Sequence, residues 1–239
     1  MSARTIAILQ ARMSSSRLPG KVLRPLGGRP MLARQIERVR RARLLDNLVV
    51  ATSVEASDDA IAEFCAREKV DCHRGSLDDV LARFHGAARA FGPTDHVVRL
   101  TGDCPLSDPT IIDACVALHL ANGADYTSNA FDRNYPDGLD VEVVRFAALE
   151  RIAREATEPY EREHVTPRLY RNPQTFSLDA LKAPRDLSAL RWTVDTPADF
   201  AFVERVFAEL DAVKPAFGWL DVLALVNARP DIAAINAKA

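Results

Sequence analysis

The stretch best suited to chemistry is Gln10-Ala11-Arg12-Met13-Ser14-Ser15-Ser16-Arg17-Leu18-Pro19-Gly20-Lys21-Val22-Leu23, which gathers three serines, a glycine and three cations. Arg12 and Lys21 suit phosphate oxygens, one as a planar fork and the other as a point charge, while Gly20 lets backbone come close. The loop follows the apolar run Thr5-Ile6-Ala7-Ile8-Leu9, so it lies at a strand's carboxyl end, where open α/β sheets place ligands. A P-loop would need glycine at Ser15 and Ser or Thr at Val22, and a dinucleotide fingerprint would need three spaced glycines; neither is present. A solvated basic turn built on Arg17-Leu18-Pro19-Gly20 is the plain alternative.

Two carboxylates stand at further strand ends. Asp103 follows Arg99-Leu100-Thr101-Gly102, and Asp195 follows Leu190-Arg191-Trp192-Thr193-Val194. Either alone could simply start a turn or cap a helix. Together over one sheet edge they could hold Mg²⁺, which takes few carboxylates and completes its shell with phosphate and water oxygens.

The elements that must position these groups alternate. Pro30 can open a helix to about Ala42, Leu48 to Thr52 read as a buried strand, Ser57 opens a helix to about Glu68, and Val70 to His73 form a short strand. Ser76 with Asp79 makes a capping box for a helix whose Val80, Leu81, Phe84, Ala87, Ala88 and Phe91 share one face. His96 to Leu100 is the next strand, and Asp108-Pro109 caps a helix carrying Ile111, Ile112, Cys115 and Leu118. This rhythm implies a parallel sheet. From about Asp125 to residue 188 it breaks, and Leu139, Val141 and Val143 alternate with Asp140 and Glu142 as in a strand with one polar face. Leu190 to Val194 reads as a last strand before a second capping box, Thr196 with Asp199 around Pro197. We expect one α/β domain over 1–239, with an insertion at about 125–188.

Composition narrows the partners. The chain has 239 residues, 48% hydrophobic, with formal net charge −2 and a pI of about 6.2, so no global basic field recruits nucleic acid. Cys65, Cys72, Cys104 and Cys115 match neither a zinc ribbon nor a redox dithiol and read as reduced, buried thiols. No stretch approaches a membrane span or a signal-peptide core, so a cytoplasmic location is expected. Arg34, Arg38, Arg40, Arg41 and Arg43, interrupted by Glu37, read as a solvated helix face.

Gln10 to Leu23, Arg99 to Asp108, Tyr135-Pro136-Asp137-Gly138-Leu139-Asp140-Val141-Glu142-Val143, Glu163-His164-Val165-Thr166-Pro167 and Arg191 to Asp195 together resemble the cytidylyltransferases of the spore-coat-polysaccharide-biosynthesis type. These are relatives of the acylneuraminate and 3-deoxy-manno-octulosonate cytidylyltransferases, and the resemblance runs from residue 5 to about 205. It implies a three-layer α/β/α nucleotide-diphospho-sugar transferase fold with a mostly parallel mixed sheet, CTP as donor, Mg²⁺ as cofactor and often a homodimer. Residue by residue it implies Arg12 and Lys21 as triphosphate ligands, Arg17 as a further phosphate candidate, Gly20 in the same loop, Gln10 and Ala11 in a cytosine pocket, and Asp103 and Asp195 on the metal.

The insertion is the natural place for a sugar acceptor, with Arg133, Tyr135, Asp137, Asp140 and Glu142 as its hydrogen-bonding groups. Asp140 and Glu142 should lie jointly inside or outside the site. His164 is either a general base or a helix-surface residue. The expected activity is transfer of CMP from CTP to a sugar, acidic or otherwise unusual, for surface polysaccharide. The alternatives are a glycosyltransferase of the same fold and a non-catalytic nucleotide-binding subunit.

Overall fold

The computed structural model of the chain describes residues 3–237. Its strands are β1 (Thr5–Gln10), β2 (Pro25–Leu26), β3 (Arg29–Pro30), β4 (Asn47–Ser53), β5 (Asp71–Gly75), β6 (His96–Thr101), β7 (Tyr126–Ser128), β8 (Glu142–Arg145) and β9 (Leu178–Ala180). Its helices are α1 (Met31–Val39), α2 (Asp59–Glu68), α3 (Val80–Ala90), α4 (Pro109–Asn122), α5 (Phe146–Glu155), α6 (Pro159–His164), α7 (Pro167–Tyr170), α8 (Pro197–Leu210), α9 (Trp219–Ala228) and α10 (Pro230–Ala233).

Seven strands form one sheet in the order β5-β4-β1-β6-β8-β7-β9, while β2 and β3 form a small ribbon. Strands β5, β4, β1 and β6 run parallel, β8 is antiparallel to both neighbours, and β9 is parallel to β7. The period-two pleat explains why both faces are apolar: Ala7 and Leu9 face the layer of α1, α2, α4, α8 and α9, whereas Ile6 and Ile8 face α3 and α5. The result is the expected α/β/α sandwich with a mostly parallel mixed sheet.

Residues 125–188 do not stand outside this sheet, because β7, β8 and β9 extend it beyond β6. In the alternating stretch Leu139–Val143, ladder pairing begins only at Glu142. The stretch before it is held by one side chain: Asn129 Nδ2 donates to Leu139 O at 2.8 Å, and Val141 N–H donates to Asn129 Oδ1 at 2.8 Å. Leu139, Val141 and Val143 are all buried, as alternation predicts.

Three expectations need correction. Leu190 to Val194 is extended but joins no ladder beyond a single bridge between Asp137 and Arg191. Its backbone bonds to loops instead, Trp192 N–H to Asp137 O at 2.6 Å and Val194 N–H to Asp103 O at 2.8 Å. Pro30 precedes α1 as its cap, and α1 ends at Val39. The arginine stripe is a solvated face only in part: Arg40 and Arg43 are exposed, whereas Arg38 is 4% exposed and donates to the carbonyls of Ser107 at 2.9 Å and Phe217 at 3.0 Å. Burial draws its pKa down to about 10. Helical periodicity marks which face a residue occupies, and it cannot distinguish a cation in water from one tied to buried carbonyls.

Candidate active site

Strand β1 ends at Gln10, and the loop beyond it is pinned at several points. Met13 N–H donates to Asp58 Oδ1 at 2.7 Å, and Gly20 N–H closes back onto Met13 O at 2.9 Å. Asp58 is fully buried and also accepts from Ser53 N–H and Oγ–H. Burial would raise its pKa, but these hydrogen bonds outweigh it and hold the carboxyl below its usual range. A 3₁₀ turn at Lys21–Leu23 then carries Lys21 and Val22 inward.

Strand β6, next to β1, delivers Asp103 through a tight turn. A Cβ on Gly102 would stand 2.8 Å from Gln10 O, so only glycine allows these two strand exits to meet. A comparable constraint sits at Gly138, with φ +108°, where a Cβ would lie 2.4 Å from Thr193 N. That close approach lets the 136–139 turn pack on the extended 190–194 segment, whose bond to Asp103 O sets Asp195 beside Asp103.

Lys21 lies at the meeting point. Its Nζ donates to Val194 O at 2.6 Å and Asp195 Oδ1 at 2.9 Å, and stands 3.7 Å from Asp103 Oδ2. Asp195 also meets Arg191 at 2.9 Å and the mostly exposed Arg17 at 3.1 Å. Burial pushes the Asp195 carboxyl up, yet Lys21, Arg191 and Arg17 together hold it below its ordinary value. Gln10, Ala11, Arg12, Arg17, Lys21, Asp103 and Asp195 therefore line one cleft of about 870 Å³ together with Ser15 and Ser16. Gly20 shapes the loop behind it.

Asp103 and Asp195 form a two-carboxylate donor set, and no cluster of three His, Cys, Asp or Glu exists among the described residues. That set is too sparse for an all-protein cage and fits Mg²⁺, which keeps open positions for phosphate and water oxygens.

The acceptor candidates divide. Glu142 and His164 line a second cavity of about 660 Å³ beside the first, and Arg99 and His164 line both. Glu142 pairs with Arg99 and accepts from Tyr126 Oη–H at 2.8 Å and Thr166 Oγ1–H at 2.5 Å. Tyr126, Phe131 and Tyr170 form an aromatic wall, with the last two stacked at 6.3 Å. Val165 has φ +71°, an uncommon state for a β-branched residue, and this bend lies between His164 on the shared wall and Thr166 in the second cavity.

Arg133, Tyr135, Asp137 and Asp140 reach neither cavity. Arg133 grips Asp140 in two bonds of 2.5 and 2.6 Å, Asp137 meets Arg191 at 3.1 Å, and Tyr135 packs edge-on against Trp219. The irregular backbone before Glu142 also separates Asp140 from Glu142, since the alternation rule holds only within a continuous strand. Sequence reasoning passed over Arg99 and Arg83, which both line the first cleft. A cation in the middle of the apolar run Val97-Val98-Arg99-Leu100 was a usable signal; Arg83, on an amphipathic helix, carried none.

A cationic loop facing one carboxylate past a strand end and a second past a docked extended segment, in an α/β sandwich, fits a nucleotide-handling enzyme of the nucleotidyltransferase class. The family model for cytidylyltransferases matches residues 6–215, and the chain belongs to that family. It is 36% identical over 233 residues, 95% of each chain, to the spore coat polysaccharide biosynthesis protein SpsF of Bacillus subtilis. A solved cytidylyltransferase from Leptospira borgpetersenii superposes with TM-score 0.92 at 33% identity, covering 97% of each chain. A CMP:2-keto-3-deoxy-manno-octonic acid synthetase, solved with CTP, shares the fold at TM-score 0.64 and 17% identity, covering 87% of this chain and 99% of the other. No helix among the described residues is long and apolar enough to cross a membrane.

Proposed function

We propose that the protein transfers CMP from CTP to a sugar hydroxyl with release of pyrophosphate, in the assembly of a surface polysaccharide. The convergence of Lys21, Asp103 and Asp195 in a cleft that shares its Arg99 and His164 wall with a second cavity is the observation that carries this reading. One cavity is suited to the nucleotide and the other, walled by aromatics over a Glu142 floor, to the sugar. The acceptor oxygen attacks the α-phosphorus in line, the bond to the bridging oxygen breaks, and pyrophosphate leaves with the electron pair.

The chain's own residues supply position and charge. Arg12, Arg17 and Lys21 neutralise the triphosphate, and Asp103 and Asp195 would hold Mg²⁺. When bound, Mg²⁺ supplies charge neutralisation and alignment of phosphate oxygens. His164, on the wall common to both cavities, is placed to take the acceptor's proton. Family resemblance extends the reading to a cytoplasmic homodimer, and the four unpaired thiols fit reducing surroundings.

The test is pyrophosphate release by purified protein with CTP, Mg²⁺ and a broad panel of sugar acids, neutral sugars and sugar phosphates, with and without chelator. Metal-dependent release with one acceptor class is expected. Failure to bind CTP and to turn over any acceptor would sink the proposal.

A further inference from the structure

Of the Tyr135–Val143 segment, only Glu142 lines either cavity. The charged side chains in and beside the rest of it are joined end to end instead. Arg133 holds Asp140 through both of its Nη atoms and also meets Asp137 Oδ1 at 3.3 Å. Asp137 Oδ2 accepts from Arg191 Nη1 at 3.1 Å, and Arg191 Nη2 donates to Asp195 Oδ2 at 2.9 Å. Charges alternate along this series, which runs from Asp140 to the carboxylate beside Lys21.

Asp137 also clips one backbone to another. Its N–H donates to Leu190 O at 2.8 Å and its carbonyl accepts from Trp192 N–H at 2.6 Å, which makes the parallel bridge between Asp137 and Arg191. The segment clipped in this way leads directly to Asp195. Arg191 is left little freedom, because its Nε and Nη2 also meet Asp199 at 3.1 and 3.2 Å, and Asp199 is fully buried in the cap of α8. All three nitrogens of the fork are engaged, an arrangement that lysine cannot reproduce.

The consequence falls on the direction of one carboxylate. Arg191 takes Asp195 Oδ2 and leaves Oδ1 turned to Lys21 Nζ at 2.9 Å, which itself stands 3.7 Å from Asp103 Oδ2. Oxygens of two carboxylates thus converge on one cation. Arg17 also meets Asp195 Oδ2 at 3.1 Å, but its side chain is 61% exposed, and such a pair holds a carboxylate only weakly.

We propose that Asp137 is a positioning residue for Asp195: acting through Arg191, it fixes the direction in which that carboxylate, with Asp103, offers oxygens to a divalent cation. This rests on the reading of Asp103 and Asp195 as Mg²⁺ donors. Carboxylates that ligate a cation are themselves held by hydrogen bonds, and losing such a holding group typically weakens cation binding by about 10- to 100-fold. The segment before Glu142 therefore serves the cation side of the reaction rather than the acceptor. Arg133, fixed by Asp140, steadies Asp137 at its other oxygen.

The experiment is calorimetric titration of the full chain with CTP, once with Mg²⁺ and once with a chelator, for wild type, Asp137→Ala, Asp137→Asn and Arg191→Lys. The quantity read is the gain in CTP affinity that Mg²⁺ brings. Asp137→Ala should lose about 10- to 100-fold of affinity in the Mg²⁺ titration and stay within about threefold of wild type in the chelator titration. Asp137→Asn keeps an acceptor for Arg191 Nη1 and should retain most of the gain. Arg191→Lys keeps the charge without the fork and should lose the gain, and it decides the matter if a thermal melt shows Asp137→Ala unfolded. A purely structural role would weaken both titrations together. That result, an undiminished gain in Asp137→Ala or Arg191→Lys, or a loss in Asp137→Asn equal to that in Asp137→Ala would overturn the proposal. A wild type that binds no CTP, or binds it equally with and without Mg²⁺, defeats the nucleotide or donor reading on which the proposal rests, and it is told apart because it shows before any substitution is made.

Discussion

Lys21 Nζ donates to Asp195 Oδ1 across 2.9 Å, although 174 positions of chain separate the two residues. With Asp103 3.7 Å away, the ammonium is the charge that meets both acidic groups, while Arg191 and Arg17 add to it at Asp195.

Replacing Lys21 by Met should therefore do two things. Pyrophosphate release should fall about 100- to 1,000-fold, the usual scale for one lost electrostatic donor. The Asp195 carboxyl should also rise from its depressed pKa, visible as an acidic shift in an NMR titration of wild type that the variant lacks. Wild-type turnover in Lys21→Met would remove the lysine from the reaction.

Asp58 should act as a positioning residue, because it touches the Gln10–Leu23 loop only through Met13 N–H. Asp58→Asn replaces one acceptor oxygen by a donor, leaving one of its N–H or O–H partners unpaired at a cost of about 1–3 kcal/mol. Melting temperature and CTP affinity should both fall. Ser53→Ala, which spares the Met13 bond, should lower only the melting temperature; equal losses of affinity in both variants would count against the positioning role.

Asp199 predicts the acid limb of stability. Burial opposes its charge, but Arg191, the N–H groups of Asp195 and Thr196, and Asn236 outweigh it and hold the pKa at about 2. Because folding lowers this pKa, the stabilisation is fully present above about pH 4 and is lost as pH falls toward 2. Its size is about 2 kcal/mol. Denaturant midpoints between pH 7 and pH 2 should show this loss, and Asp199→Asn should be weaker at pH 7 with a flatter acid limb. An unchanged limb would exclude Asp199 as its source.

Arg38→Met should destabilise by about 1–3 kcal/mol, since it orphans carbonyls of Ser107 and Phe217 that lie away from water. Its guanidinium also stacks over the Phe217 ring at 4.4 Å. A variant melting like wild type would return this arginine to the solvated face that periodicity suggests.

Local chemistry was the legible part. The Thr196 and Asp199 capping box forms as its spacing requires, and Asp108 caps α4 through Thr110 N–H at 2.9 Å. Those bonds join residues within a turn of one another, so spacing alone fixes them. The 190–194 segment was misread as a strand because apolar content reports burial, not the partner: Trp192 and Val194 are buried, but their N–H groups bond to Asp137 and Asp103. Likewise Tyr135 and Asp137 carry groups suited to a sugar, yet packing against Trp219 and pairing with Arg191 take them away from the cavities.

By itself the sequence determined the alternation of strands and helices, the cationic loop at the end of β1, and Asp103 just past the end of β6. These follow from periodicity and short-range turn chemistry. Only the tertiary structure decided that Lys21 meets both Asp103 and Asp195, that Arg99 and His164 wall both cavities, and that Arg83 enters the cleft from α3. The reason is sheet order: β6 inserts beside β1 and the 190–194 segment docks on the Asp103 turn, juxtapositions set by long-range pairing that no local pattern encodes.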